Sequence, residues 1–362
     1  MLFDGMSNST FESNTVIRNA SVPVGGVTHV REANFVNNFT DINNTFSVQG
    51  GTLALANDGE VLNTEDGGPD PYNNFRGIVT GATTSGLSDS GQHFFQSGNT
   101  APALRSRAVV ALVSGQGKGQ GRTVSAIASN GKDLTLSSPW TVPPSPGDHY
   151  ATFDWSAEGW IVANNNMTGN NKGIEFFNSS VHDVLIEANT LTDDSGILLS
   201  PNQSLPGIFG FVIGVEITNN KLSDTKGLRP AYIGVIPRED SQLNSFGTAI
   251  MGVEIRNNTI IAHLPNTAIT NTSLDDSKAL VEGLNCYWQW QTMALFSPSG
   301  STTPIEGALF QNNTVQNSST AIYLNSGVFD SVFQNTILGN VSHLSTDEVI
   351  PGATTASAGT LY

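Results

Sequence analysis

The sequence predicts an all-β body wound as a solenoid of short parallel strands, and three observations predict it. First, NNMTGNNKGIEF (165–176) and ANTLTDDSGILL (188–199) nearly superpose, with Asn166 on Asn189 and Gly173 on Gly196, both 23 residues apart. That period is too short for a helical hairpin and suits one turn of a β-solenoid. Second, short apolar runs (Trp160 to Ala163, Val184 to Ile186, Ile197 to Leu199) alternate with Asn, Gly, Asp and Ser. Strands disfavour those polar residues and tight turns favour them. Third, the chain has 37 Gly and only 13% charged residues, with no heptad pattern, which suits a body with few helices.

The repeated phrase is an Asn followed by Thr, Met or Lys and then, as a rule, an apolar residue. It occurs at Asn14, Asn44, Asn166, Asn189, Asn220, Asn258, Asn313 and Asn335, with gaps of 30, 122, 23, 31, 38, 55 and 22. A basic turn of 22 or 23 residues therefore carries insertions of varied length. Equivalent positions of a solenoid stack about 4.8 Å apart, so one Asn per turn forms a hydrogen-bonded column at one corner.

GVEITNNKLSD (214–224), GVEIRNNTIIA (252–262), GALFQNNTVQNSSTAIYL (307–324) and FDSVFQNTIL (329–338) carry a resemblance to the right-handed parallel β-helix proteins, the pectate-lyase-like superfamily. It covers about three quarters of the chain. The resemblance implies a right-handed parallel β-helix and an extracellular, carbohydrate-active protein. It does not choose an activity, because this architecture hosts hydrolases, lyases, epimerases, tailspikes and adhesins.

With 362 residues the chain can bury a long core by stacking turns. A net charge of −16 argues against nucleic acid and anionic membrane as partners, since phosphate binding needs clustered Lys and Arg, and it favours a neutral sugar over a polyuronate. The single Cys286 excludes an internal disulfide framework and reads as a packed thiol beside Tyr287, Trp288 and Trp290. No stretch approaches 18 apolar residues, and Met1 opens directly into repeat-like sequence, as expected for a start inside a longer chain or after a removed leader. Several of the twelve N-x-S/T sequons coincide with the Asn column, and most read as a by-product of the repeat.

Residues 1–65 form the first coils. GVTHVRE (26–32) matches GEVLNTE (59–65), which places Glu32 on Glu65 at an offset of 33. On neighbouring coils the two carboxylates face each other at one rung, roughly 5 Å. Such a pair suits a retaining glycosidase, a pair at about 6.5 to 9.5 Å an inverting one, and close like charges hold one carboxyl protonated as the acid. Asp58, Glu60, Asp66 and Asp70 surround the pair, with His29 and Arg31 on the same segment. The other reading of these acids is a solvated face.

Residues 66–155 interrupt the coils. Strand-like runs at 107–114, 121–128, 133–138 and 150–153, separated by Gly- and Pro-rich turns, predict a small inserted antiparallel sheet, with SNGKD as a hairpin. GQGKGQG (115–121) lacks the spacing of a phosphate loop and precedes a strand, so it reads as a hairpin turn. The insertion follows Glu65 and is a candidate wall of a substrate groove.

The main coils occupy 156–345. Aligning Gly59, Gly173 and Gly196 places Asp58 beside Lys172, with Asp193 and Asp194 one rung on, either as a groove or as a structural ion pair with turn-forming Asp. GIEFFNSSVHDVLIEANTLTDDSGILL faintly resembles the polygalacturonase-type hydrolases, but Lys172 stands where their earlier Asp belongs and no Gly-His-Gly or Arg-x-Lys follows. The long loop at 226–249 holds Arg229, Arg238, Glu239 and Asp240; long loops on a rigid scaffold are where binding resides. DDSKALVEGL predicts one short helix, and Trp288 is a candidate platform for a pyranose. Residues 346–362 are a polar tail.

The six His show no pair suited to zinc, and Asp58 with Glu60 or Asp193 with Asp194 could supply oxygens to calcium only weakly, so no cofactor is expected. Three functions follow. A glycoside hydrolase would use Glu32 and Glu65 as catalytic residues with Asp66, Asp58 and Glu60, and would bind a polysaccharide through His29, Arg31, Lys172, Asp193, Asp194, Arg229 and Trp288. A polysaccharide lyase or epimerase, as the superfamily implies, would use Lys172, Arg31 or Arg229 as base. An adhesin-like or tailspike-like solenoid would bind glycan without cleaving it.

Overall fold

The computed structural model of the chain describes residues 1–19, 31–49, 60–65, 75–94, 107–170, 172–202, 209–227, 231–239, 246–263, 283–286, 289–290, 305–318, 320–324, 328–329, 332–334, 337–339 and 343–346. Among them there is no helix, and most of the strands fall into three parallel sheets. Each turn of chain gives one strand to the first sheet, passes a corner into the second, then turns tightly into the third. Val181–Glu187 and Thr190–Thr192, for example, follow Lys172–Phe177, and the next turn repeats the order with Ile197–Ser200, Val212–Thr218 and Lys221–Ser223. Successive turns pair in parallel register, Ile174 with Ile197 and Val184 with Val215, offsets of 23 and 31. The inserts expected from the uneven spacing are thus absorbed at corners.

Inside the coil the inward file of each sheet is apolar. Leu62, Ile174, Ile197 and Ile233 form one such file and Phe46, Met167, Leu191, Leu222, Ile260 and Val315 another, all fully buried. Trp160, the largest of the fully buried side chains, packs against Phe39 and Phe176 and donates its indole N–H to the Val36 carbonyl at 2.7 Å. The second sheet alternates inward and outward with one fault per strand. At that fault the backbone is left-handed, in Asn38 (φ 51°), Gly159 (66°), Asp183 (56°), Gly214 (66°), Gly252 (58°) and Gly307 (67°). This left-handed residue, which stays in register from turn to turn, explains the glycine that opens each GVEI phrase, because only Gly, and at some cost Asn or Asp, takes that conformation easily.

The expected Asn column exists, with one correction. Five members receive two hydrogen bonds on the side-chain oxygen from the Asn one turn earlier: Asn44 accepts from Asn14, Asn189 from Asn165, Asn220 from Asn189, Asn258 from Asn220 and Asn313 from Asn258, while Asn165 accepts the Asn44 backbone N–H. Asn165, not Asn166, holds the position, because the left-handed residue that makes the corner is Asn164 (φ 55°), as Ser13, Asn43, Ala188, Asn219 and Asn257 are in their turns. Asn166 instead opens the third-sheet strand Asn166–Thr168. Asn335 lies outside the described residues.

The inserted antiparallel sheet leaves the coil after Glu60–Glu65, the first-sheet strand, and returns at Ala157–Ala163 in the second. Its strands run in the order Phe75–Ile78, His149–Phe153, Val109–Leu112, Gly121–Ile127, Asp133–Leu136, Gly86–Ser88 and Gly81–Thr83. Val109–Leu112 is buried on both faces: Val109 and Ala111 join the coil's core, whereas Val110 and Leu112 join a second core with Leu87, Phe94, Leu134 and Tyr150. Both expected hairpins form, at 113–120 and 128–132. The helix expected over DDSKALVEGL falls outside the described residues except for Gly283 and Leu284, which are in a first-sheet strand, Gly283–Cys286.

Candidate functional site

The acid pair does not form as expected. The first sheet pairs Arg31 with Leu62 and Glu32 with Asn63, an offset of 31 instead of 33. Glu65 therefore lies two residues further along its strand than the rung of Glu32, about 7 Å at the usual rise, and pairs with Phe177. Similarity between two short segments does not count the residues consumed by the corner between them, whereas the inward file from Leu62 to Ile174 and Ile197 sets the register. The same shift puts Glu60, not Asp58, beside Lys172. Asp58, Asp66, His29, Arg229 and Trp288 lie outside the described residues.

The rung of Glu32 continues through Asn63 to Glu175 and Leu198. Glu175 stands on the outward file, yet its side chain is only 4% exposed and pairs with the Lys172 ammonium at 3.1 Å. Sequence reasoning passed over it; the signal was a lone carboxylate inside the apolar strand KGIEFF. Further along the same sheet the outward side is apolar, with Leu198, Tyr232 and Ile236 packed together.

Asp193 and Asp194 belong to the turns instead of a groove. Asp193 accepts the Thr225 N–H at 2.6 Å and its hydroxyl at 2.7 Å, and pairs with the Lys226 ammonium at 3.0 Å. Burial pushes its carboxyl up, but the Thr225 hydroxyl, the Thr225 N–H and Lys226 together outweigh burial and hold it below the ordinary carboxylate range. Asp194 is fully buried and accepts from the Asn170 side chain at 2.7 Å.

A different site emerges at the corner between the first and second sheets. The corner between the second and third sheets is tight in every described turn, whereas the first-to-second corner carries the stretches 66–156, 201–211, 236–249 and 287–304. There a cleft of about 410 Å³ opens between the inserted sheet and the outward side of the second sheet. Its floor follows one rung, in which Asn37, Glu158, His182, Ile213, Met251 and Glu306 succeed each other in register. Its roof is the hairpin around Gly119 to Thr123, with Thr141 at the edge.

The floor is polar at one end. Asn37 donates to Glu158 Oε2 at 2.7 Å, and His182 Nδ1 stands 3.6 Å from Glu158 Oε1. The His182 ring stacks on Trp155 with centroids 5.0 Å apart and planes 23° apart, and Trp155 packs its edge on Phe153. In the roof, Arg122 donates to the Pro139 and Gly121 carbonyls at 2.9 and 2.7 Å and to the Thr141 hydroxyl at 3.1 Å. Gln120 donates to the Val142 and Gly117 carbonyls and accepts from the Thr141 N–H at 2.7 Å. The roof thus holds itself in shape and leaves Glu158 and His182, both about two-fifths exposed, as the polar groups facing the cleft. Among the described residues no group of three His, Cys, Asp or Glu is placed to hold a metal.

No protein-family model matches the chain. No curated protein matches it either. The continuous register of three parallel sheets decides the architecture. The chain is a parallel β-helix. Solved structures similar to this β-helix include the tailspike protein gp49 from Pseudomonas phage LKA1 (9% identity, 92% of this chain and 67% of that one, TM-score 0.22). The tailspike gp61 of Pseudomonas phage phi297 (10%, 88% and 66%, TM-score 0.21) is another. A third is the Gp54 tailspike of Acinetobacter baumannii bacteriophage AP22, in complex with A. baumannii capsular saccharide (6%, 92% and 63%, TM-score 0.19). This β-helix spans about two thirds of the length of each, and the likeness concerns fold alone.

Proposed function

We propose that the chain is an extracellular glycan-binding β-helix, which holds a polysaccharide along the corner where the inserted sheet meets the coils. One observation carries the reading: the inserted sheet leaves the rigid coil at the first-to-second corner and folds over the second sheet, and a cleft lined by Trp155, His182 and Glu158 opens between them. Connections displayed on a rigid scaffold are where binding residues concentrate, and a solenoid offers an extended surface to a chain-like ligand. The net charge of −16 supports a neutral glycan and no nucleic-acid or membrane partner. The reading needs no cofactor.

Hydrolysis is the second reading, and Glu175 favours it. Glu32 and Glu175 share a rung with Asn63 between them, so their backbones stand two strand spacings apart, about 9.6 Å. That is near the wide end of the roughly 6.5 to 9.5 Å between the carboxyls of inverting glycosidases. Elimination through Lys172, one of its three candidate bases, loses support, because Lys172 is paired with Glu175. The deciding experiment is a glycan panel scored both for retention of the protein and for new reducing ends. Retention of a neutral polysaccharide without cleavage is expected, and retention of none overturns the proposal. Reducing ends that vanish in Glu175→Gln would replace binding by hydrolysis.

A further inference from the structure

We infer that the cleft beneath the inserted sheet receives one neutral pyranose unit of the glycan, packed against the Trp155–His182 stack and held by Glu158. The inference rests on the glycan-binding reading and specifies its ligand.

Size comes first. A volume of about 410 Å³ lies at the lower end of small-molecule sites, which run from about 300 to 1,000 Å³. Such a space takes a single ring more readily than a folded segment of chain.

Chemistry narrows the occupant. Stacked Trp155 and His182, backed by Phe211 and Ile213, give an apolar flank. Beside it Glu158 keeps one acceptor in reserve: Oε2 takes the Asn37 amide, whereas Oε1 faces His182 Nδ1 at 3.6 Å, too far for a hydrogen bond. His182 Nδ1 is itself without a hydrogen-bond partner among the described residues. A pyranose presents this same pairing, a face of C–H groups bordered by hydroxyls. Its hydroxyl donates to Glu158 Oε1 while its C–H face covers the aromatic flank.

Charge at the floor favours a neutral sugar over a uronate or a sulfated one. Arg122, the cation of the roof, is oriented by the Pro139 and Gly121 carbonyls and the Thr141 hydroxyl and keeps its positive charge. Lys118, the next cation along the hairpin, is paired with Glu306. An anionic sugar seated on Glu158 would bring two like charges together at the floor, in a chain whose net charge is already −16.

The test titrates the intact chain with neutral hexose oligosaccharides of four to six units and with oligogalacturonates of equal length, followed by tryptophan fluorescence and calorimetry. The neutral series should bind and shift the emission. Trp155→Ala should weaken it at least tenfold and Glu158→Gln several-fold. Trp155 also packs on Phe153, so Thr141→Trp serves as a second variant, filling the mouth from an exposed position; it should abolish binding with the melting temperature unchanged. Ile161→Ala, on the same sheet outside the cleft lining, should bind like the parent. Neutral binding that survives both Glu158→Gln and Thr141→Trp overturns the cleft assignment and leaves the glycan-binding reading standing. A preference for oligogalacturonate overturns the neutral-sugar assignment, and a parent chain that binds no member of either series overturns both readings.

Discussion

The side-chain carbonyl of Asn220 accepts two hydrogen bonds from Asn189 one turn earlier, from its backbone N–H at 2.9 Å and from its amide at 3.0 Å. The Asn220 amide in turn donates to the Ile186 carbonyl at 2.9 Å and to Asn258 at 3.0 Å. Both side chains are at most 1% exposed, so water does not replace these bonds.

Asn220→Ala strands two donors of Asn189 and the Ile186 carbonyl at once. Each buried polar group left unpaired costs about 1 to 3 kcal/mol, and partial relaxation of the corner brings the expected loss to about 3 kcal/mol. Asn220→Asp keeps the acceptor but loses the donors and buries a charge, so it should be no milder. Denaturant midpoints of the two variants check this, and a loss under about 0.5 kcal/mol for Asn220→Ala would show that the column is ornament on an already stable coil.

Gly196 is required for a different reason. A Cβ placed there would lie 1.8 Å from the Tyr232 carbonyl oxygen, a backbone atom of the next turn that cannot step aside. Gly196→Ala should separate the strands Ile197–Ser200 and Tyr232–Val235 and cost more than the roughly 1 to 3 kcal/mol of ordinary overpacking. The expected result is a chain recovered mainly as aggregate, and a soluble variant with the parent's melting temperature would contradict the close approach.

The coil itself was legible because its signals are local and repeated. The Asn corners and the short apolar runs recur from turn to turn and agree with one another. The inserted sheet was legible from alternating apolar runs between Gly- and Pro-rich turns. Register was not. Glu32 and Glu65 share a motif match, but the corners between them decide which residues meet, and the rung joins Glu32 to Asn63 and Glu175. The cleft was not legible either, since Trp155, Glu158 and His182 meet Arg122 and Gln120 only after the insertion folds back across the second sheet, and no spacing along the chain encodes that fold-back.

The Asp193 carboxyl links stability to pH. Its folded value lies below the ordinary one, so its contribution is fully present above the ordinary carboxylate range and is lost as pH falls through the folded value. Asp193→Asn should lower the melting temperature at neutral pH, because the Thr225 N–H and Lys226 lose a charged acceptor. The gap between variant and parent should close as the solution is acidified below that range. Melting curves of both proteins across acid pH test the sign, and a gap that widens on acidification would refute it.

Lys118 fastens the roof of the cleft to the coil. It pairs with Glu306 of the strand Ile305–Glu306, while the adjacent Gly119 lies over Ile213 and Met251. Both partners retain some exposure, 33% and 14%, so the pair should add no more than about 1 kcal/mol to global stability. Its larger effect is local. Val113 anchors one end of the hairpin in the coil's core, whereas residues 114–120 are Ser, Gly, Gln and Lys alone, and such segments open without unfolding the rest. Lys118→Ala should therefore accelerate amide exchange across 114–120 several-fold and leave the second-sheet strands Val181–Glu187 and Val212–Thr218 as protected as before. Unchanged exchange in the hairpin would mean that the apolar contacts alone hold the roof down, and faster exchange throughout the coil would mean that the ion pair stabilises the whole stack.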